Sequence, residues 1–141
     1  MFEVFANFKA FKCQDYKMEH LVIKKSGEFP EVEFDHKKGN LKISGTSFME
    51  DTVAFYTPIM DWLNAYKSTP NDSTEFTFAL EYMNTSSSKF LLDIFHVLNE
   101  IHQKNQGVKV IWCYYEDDED MEETGKQYEE LFDLPFTFQI S

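Results

Sequence analysis

The sequence predicts a single α/β domain with a mixed sheet, because a β-hairpin is followed by alternating helical and strand segments. The 141 residues are 43% hydrophobic and 17% aromatic, which is enough for one buried core. Two segments with alternating apolar and polar residues, 31–35 and 41–45, lie on either side of a turn at Gly39, the pattern of an antiparallel hairpin. Helices and strands then alternate, which requires parallel neighbouring strands joined by crossovers.

The first 17 residues differ from the rest of the chain. Phenylalanine recurs there at every third position, a spacing that suits one face of a helix; the residues are Phe2, Phe5, Phe8 and Phe11. We therefore expect an N-terminal extension over residues 1–17, packed on the domain or on a second subunit, and a single domain over residues 18–141. A short strand is expected at residues 21–23, before the hairpin.

The first helix is expected to begin at Ser47 or at residues 49–51 and to continue to Tyr66. Pro58 lies inside this apolar run, so a kink or a short break is expected near Thr57. A polar loop over residues 68–73 then separates this helix from a strand at 75–82.

The second half of the chain continues the alternation. A helix is expected from residue 86 to about Asn105, with Gly107 as its C-terminal stop. The strand at 108–115 is the most apolar and is expected to be central. An acidic helix over 119–132 and a closing strand over 136–140 complete the sheet. The buried side of the acidic helix is expected to consist of Met121, Tyr128, Leu131 and Phe132.

The charge of the chain excludes several classes of function. The formal net charge is −12, and all 13 basic residues are lysine. Without arginine or a basic surface, binding to nucleic acid or to an anionic membrane is disfavoured. No apolar run approaches the ~20 residues of a membrane span. The two cysteines, Cys13 and Cys113, lie far apart, which favours a reducing cytoplasm.

Most of the net negative charge lies near the C-terminus, where residues 116–123 include seven acids. Their spacing lacks the glycine and the terminal glutamate of a calcium loop, so a solvated helix start is the simpler interpretation. The four histidines also show no metal-ligand spacing, and no nucleophile or phosphate-loop motif is present. We therefore expect no metal, no cofactor and no enzymatic activity, with Cys113 as an inert core residue.

The most informative segment is a cluster of small polar residues, 84–88, between a strand and a helix. One hydroxyl suffices to cap a helix, so the cluster has more hydroxyls than capping requires. The start of a helix also suits a phosphate, because its amides are free and its dipole is positive there, and Lys89 would add charge. An elaborate cap and a phosphoacceptor both remain open from the residues alone.

Six stretches spread over residues 18–140 carry a resemblance to a known family. They are PEVEFD at 30–35, GNLKISGTSFM at 39–49, FYTPIMDWLNAY at 55–66, LEYMNTSSSKFLLDIF at 80–95, VKVIWCYYEDDED at 108–120 and Pro-Phe at 135–136. In this order and combination they resemble the SiaC family of bacterial regulatory phosphoproteins. Relatives often carry Tyr-Pro-Glu where this chain has Phe48-Met49-Glu50, a conservative difference.

The resemblance implies a STAS-like fold, the mixed sheet with flanking helices of anti-sigma-factor antagonists. It implies that Thr85 is the phosphoacceptor, phosphorylated by a dedicated protein kinase and dephosphorylated by a PP2C-type phosphatase. When unphosphorylated, the protein would bind and activate a diguanylate cyclase or another effector, favouring cyclic di-GMP synthesis and biofilm. We therefore expect a non-catalytic phospho-switch adaptor in which Thr85 is flanked by switch and partner-binding residues, namely Asn84, Ser86, Ser87, Ser88 and Lys89.

Two other classes of function make different predictions. A small-molecule-binding or structural STAS-like domain without phosphorylation would have a closed apolar pocket and a buried Thr85 hydroxyl in a rigid cap. A metal-dependent enzyme using the acidic segment would bring its carboxylates together around a cleft.

Overall fold

A computed structural model describes residues 18–141, and its elements follow the predicted order. The N-terminal extension predicted over residues 1–17 lies outside the described residues. The strands are β1 (Leu21–Ile23), β2 (Glu31–Asp35), β3 (Asn40–Ser47), β4 (Thr74–Met83), β5 (Val108–Tyr114) and β6 (Phe136–Ile140). The helices are α1 (Thr52–Ser68), α2 (Thr85–Asn105) and α3 (Glu119–Leu131).

The six strands form one mixed sheet in chain order, from β1 to β6. The first three strands are antiparallel, and β3 to β6 are parallel to one another. One helix connects each parallel strand to the next. The predicted fold class, a hairpin followed by three helix-strand units, is therefore confirmed.

The prediction that the most apolar strand is central is wrong. β3 and β4 occupy the middle of the sheet, and β5 lies between β4 and the edge strand β6. β5 is apolar because its residues are buried, not because it is central. Val110 and Trp112 lie in the core, and Cys113 is only 7% exposed. Burial raises the pKa of the Cys113 thiol, which disfavours the reactive thiolate.

The helices pack against one face of the sheet. Side chains that stand in register across the strands on this face, such as Leu41 and Phe76, are buried. Each helix places an aromatic ring against a ring of the sheet, with centroid separations of 4.9, 4.8 and 5.5 Å for the pairs Phe34–Trp62, Phe78–Phe95 and Trp112–Tyr128. The opposite face presents polar residues such as Glu33 and Thr77, which are exposed or half-buried.

The start of α1 differs from both predicted positions. Ser47 is the last residue of β3, and the helix begins at Thr52. Asp51 caps it, because its Oδ1 accepts the Ala54 N–H at 3.0 Å, leaving no acid inside the first turn. The helix continues through Pro58, so the short break predicted near Thr57 does not occur, and the kink stays a prediction.

The end of α2 is made by a different residue from the one predicted. The left-handed residue after the helix is Gln106, with φ of 58°, rather than Gly107. Gly107 is required for another reason, because a Cβ there would lie 1.8 Å from the Asp72 carbonyl oxygen. The glycine therefore allows the close approach of two loops.

The buried side of α3 also differs in part from the prediction. Met121, Tyr128 and Phe132 are buried as expected, whereas Leu131 is 66% exposed. The helix packs closely against the sheet at Gly125, where a Cβ would collide with the Trp112 ring. Since that position carries no side chain, an apolar pattern does not reveal it.

Candidate functional site

The predicted switch segment lies at the carboxyl edge of the parallel strands. β4 ends at Met83, α2 begins at Thr85, and only Asn84 separates them. In open α/β sheets this edge is where strands are followed by helix N-termini and where functional residues collect. Because a single residue links the strand to the helix, the junction is short, and a few specific contacts hold it in place.

Asn84 holds the junction in place with both its backbone and its side chain. Its Oδ1 accepts the Ser87 N–H at 2.9 Å and so caps α2. Its backbone N–H donates to the Ser47 carbonyl at 2.9 Å, and its Nδ2 donates to the Met49 carbonyl at 3.1 Å. An aspartate could supply the cap but not the Nδ2 donor, so asparagine suits this position for a physical reason.

Three buried hydroxyls lie directly beneath the cap. The Ser47 and Ser87 side chains are completely buried; Ser47 Oγ lies 2.8 Å from Ser87 Oγ and 2.7 Å from Tyr56 Oη. Ser87 Oγ also donates to the Ser47 carbonyl at 3.2 Å. One arrangement satisfies all three protons: Tyr56 donates to Ser47, Ser47 to Ser87, and Ser87 to the carbonyl. The start of α2 is thereby tied to β3 and to α1.

A β-bulge brings Ser47 into this position. The pairing between β3 and β4 shifts between Gly45 and Thr46, so that Gly45 faces Leu80 and Thr46 faces Tyr82. Gly45 has φ of 100°, a value that L side chains rarely adopt. Bulges that redirect a side chain are common beside functional sites.

The remaining residues of the segment lie closer to the surface. Thr85 and Lys89 are exposed, whereas Ser86 and Ser88 are half-buried. The Ser86 hydroxyl donates to Asn84 Oδ1 at 3.3 Å, and the Ser88 hydroxyl donates to the Thr85 carbonyl at 2.7 Å. Thr85 and Lys89 are four residues apart on α2, which places them on the same face.

Two exposed aromatic residues adjoin the junction, and they were not singled out from the sequence. Phe48 is 45% exposed and Tyr82 is 55% exposed, with ring centroids 6.1 Å apart in an edge-to-face arrangement. Phe48 lies between Ser47 and Met49, the two residues whose carbonyls Asn84 binds. Hydropathy does not separate exposed from buried aromatic residues, so the sequence held no signal for this pair.

Helix α3 contacts the same region through one tyrosine. The Tyr128 hydroxyl donates to the Ser88 carbonyl at 3.1 Å, in the first turn of α2. Burial and the nearby Tyr56 raise the pKa of Tyr128 to about 12, from an ordinary value of 10.0. The first turn of α2 is thus tied to the third helix as well as to β3.

This shift predicts a loss of stability at high pH. Between pH 10 and about 12 the unfolded chain releases the Tyr128 proton while the folded chain keeps it, so the free energy of unfolding falls as pH rises. The decrease should reach about 1.4 kcal/mol per pH unit. Urea unfolding across this range should give a shallower decrease for Tyr128→Phe, and parallel curves for the two proteins would contradict the assignment.

The acidic segment forms the start of α3. Asp118 Oδ1 accepts the Met121 N–H at 3.0 Å, and Glu119, Asp120 and Glu122 occupy the first turn, where the dipole favours negative charge. Within residues 18–141, no group of three or more His, Cys, Asp and Glu side chains is arranged to hold a metal ion. None of the helices described is both long enough and apolar enough to cross a membrane.

The fold and the junction together define a class: a mixed α/β domain with a hydroxyl-rich strand-to-helix junction at one edge of its sheet. Within that class the chain belongs to the SiaC family, because the family model for "SiaC family regulatory phosphoprotein" matches residues 23–141. A curated relative, an uncharacterized protein of Pseudomonas aeruginosa strain UCBPP-PA14, is 29% identical over 122 residues, which are 86% of this chain and 97% of that protein.

Solved structures agree with this membership. The crystal structure of apo-SiaC from Pseudomonas aeruginosa is similar with a TM-score of 0.79 and 29% identity, covering 86% of this chain and 99% of that chain. A chain in the crystal structure of the diguanylate cyclase SiaD in complex with its activator SiaC, also from Pseudomonas aeruginosa, gives a TM-score of 0.81 and 28% identity, with coverages of 86% and 99%. The family therefore includes a partner-binding regulator.

Proposed function

We propose that this protein is a non-catalytic cytoplasmic adaptor whose binding to an effector is controlled by reversible phosphorylation of Thr85. The effector is a diguanylate cyclase or another signalling protein, bound in the unphosphorylated state. A protein kinase adds the phosphate and a PP2C-type phosphatase removes it. The SiaC complex with a diguanylate cyclase supports the class of partner.

One observation carries the proposal: an exposed threonine sits on a buried and hydrogen-bonded scaffold. Thr85 is exposed, while Asn84 and Ser87 on either side of it both donate hydrogen bonds to the Ser47 carbonyl of β3. A kinase can therefore reach Thr85 without unfolding the cap. The neighbouring serines are less accessible, since Ser87 is completely buried and Ser88 donates its hydroxyl proton to the Thr85 carbonyl.

The surroundings of Thr85 suit both states of the switch. Within the described residues, the Thr85 and Ser86 amides have no hydrogen-bond acceptor, so they remain free for a phosphate at the helix start. Lys89, one turn further along α2, is exposed and forms no ion pair with any residue in the range 18–141. In the unphosphorylated state, Phe48 and Tyr82 offer an apolar surface to a partner.

Phosphopeptide mapping tests the site directly. The protein is expressed in its native host, or incubated with a candidate kinase from the same genome and ATP, and the phosphate is located by mass spectrometry. We expect wild type to gain one phosphate on Thr85, and Ser86→Ala and Ser88→Ala to behave as wild type. Thr85→Ala should lose the label, and labelling that persists in this variant would contradict Thr85 as the phosphorylation site.

The alternative, a small-molecule-binding or structural STAS-like domain, calls for a buried Thr85 hydroxyl in a rigid cap. In the structure, Ser87 has that role and Thr85 is exposed. The geometry therefore favours the phospho-switch.

A further inference from the structure

A second apolar surface lies beside the junction and has no role in the proposed switch. It is a groove of about 610 Å³ between the turn that precedes β2 and the first turn of α1. Its apolar lining consists of Phe29, Met49, Ala54 and Phe55. The rings of Phe29 and Phe55 lie with centroids 5.5 Å apart, and Phe29 is 36% exposed. The groove can therefore accept an apolar side chain.

The rim of the groove is negatively charged. Glu28, Glu50 and Asp51 line it, and no lysine does. Glu28 and Glu50 are exposed and have no ion-pair partner among residues 18–141. Asp51 uses one oxygen to cap α1. Charge complementarity therefore selects an occupant that carries positive side chains next to its apolar ones.

The backbone around the groove favours a helical occupant over an extended one. An extended peptide binds by pairing its backbone with free N–H and C=O groups. Here the Phe48 N–H already donates to the Glu28 carbonyl at 3.1 Å, and both backbone groups of Phe29 bond to Ser26. The Met49 carbonyl accepts from Asn84. A helix needs none of these groups, because its own backbone is satisfied internally.

We propose that this groove binds one amphipathic basic helix of the effector. An apolar side chain of the helix rests on Phe29 and Phe55, and lysine or arginine side chains flank Glu28 and Glu50. The Asn84 bond to the Met49 carbonyl joins the groove to the junction, so one partner can cover both. The inference rests on the proposed function only for the identity of the protein that supplies the helix. The apolar lining and the acidic rim of the groove do not depend on the proposed function.

A defined peptide tests the groove without the effector. The probe is a synthetic amphipathic helix of leucine and lysine, about 18 residues or five turns long, titrated into the isotopically labelled full chain. We expect the largest amide shifts at Phe29, Ala54 and Phe55. The double variant Glu28→Lys with Glu50→Lys should bind the peptide at least about tenfold more weakly.

A matched variant separates the groove from general attraction to an acidic protein. Glu129→Lys with Glu130→Lys changes the net charge by the same amount at exposed positions on α3. It should change peptide affinity less than about twofold. Equal losses in the two double variants, shifts centred on α3, or the absence of binding to wild type would each overturn the proposal.

The effector provides the second arm of the test. Each double variant is compared with wild type for binding to a purified diguanylate cyclase from the same genome. Loss of cyclase binding in the groove variant alone supports the groove as part of the interface, and retention of full binding overturns it. If the peptide binds the groove but wild type binds no cyclase, the groove is supported and the diguanylate cyclase fails as the effector of the proposed function.

Discussion

Phosphorylation of Thr85 is expected to weaken effector binding by about 100-fold, equivalent to about 3 kcal/mol. The phosphate adds about −1.5 to −2 charges next to the apolar pair Phe48–Tyr82, which would be desolvated in a complex. The exposed acids Glu50 and Glu81 lie close along the chain to that pair and cannot pair with the new charge. Thr85→Glu adds one charge and should cost about tenfold in affinity.

The measurement is isothermal titration calorimetry with a purified diguanylate cyclase, using wild type, phosphorylated protein and Thr85→Glu. Gln127→Glu adds the same charge at an exposed position on α3 and should bind as wild type does. Thr85→Ser should also bind normally, because it keeps the hydroxyl. Equal affinities for the phosphorylated and unphosphorylated proteins would contradict the switch, although Thr85 could still be a modification site.

The sequence predicted most elements of the fold because burial alternates regularly along them. Val32 and Phe34 in β2, and Leu41 and Ile43 in β3, are buried while their neighbours are not. Such a pattern reports which residues are buried and does not report which strands are neighbours. The prediction that β5 is central is therefore wrong, because a strand next to the edge strand can be as apolar as a central one.

The location of the switch segment could also be predicted, but the different roles of its hydroxyls could not. Helical rotation turns Ser87 inward and leaves Thr85 exposed. The partner of Ser87, Ser47, is 40 residues away in the sequence. Its inward orientation follows a bulge beside Gly45. A contact over such a separation leaves no local pattern, so the pairing of Ser87 with Ser47 could not be predicted from the sequence.

Replacing Phe48 and Tyr82 with alanine is expected to remove most of the effector affinity. Both side chains are about half exposed and contact each other edge to face, whereas soluble domains rarely leave adjacent large aromatic residues uncovered without a role. Aromatic residues at the centre of an interface typically contribute 2 kcal/mol or more each. Each single variant should therefore bind about 30-fold more weakly.

Leu131→Ala supplies the matched control for this experiment. Leu131 is an apolar residue that is 66% exposed. It is the last residue of α3, which starts near the carboxyl ends of the parallel strands and ends near their amino ends. It therefore lies far from the junction. Its truncation removes a similar apolar area without touching the junction, so binding should be unchanged. Thermal unfolding should show that all three variants remain folded, since each change is at an exposed position. If Leu131→Ala weakens binding as much as Phe48→Ala does, the effector does not dock at the junction. Phosphorylation of Thr85 would then have to act from a distance, through the hydrogen bonds that Asn84 and Ser87 donate to the Ser47 carbonyl of β3.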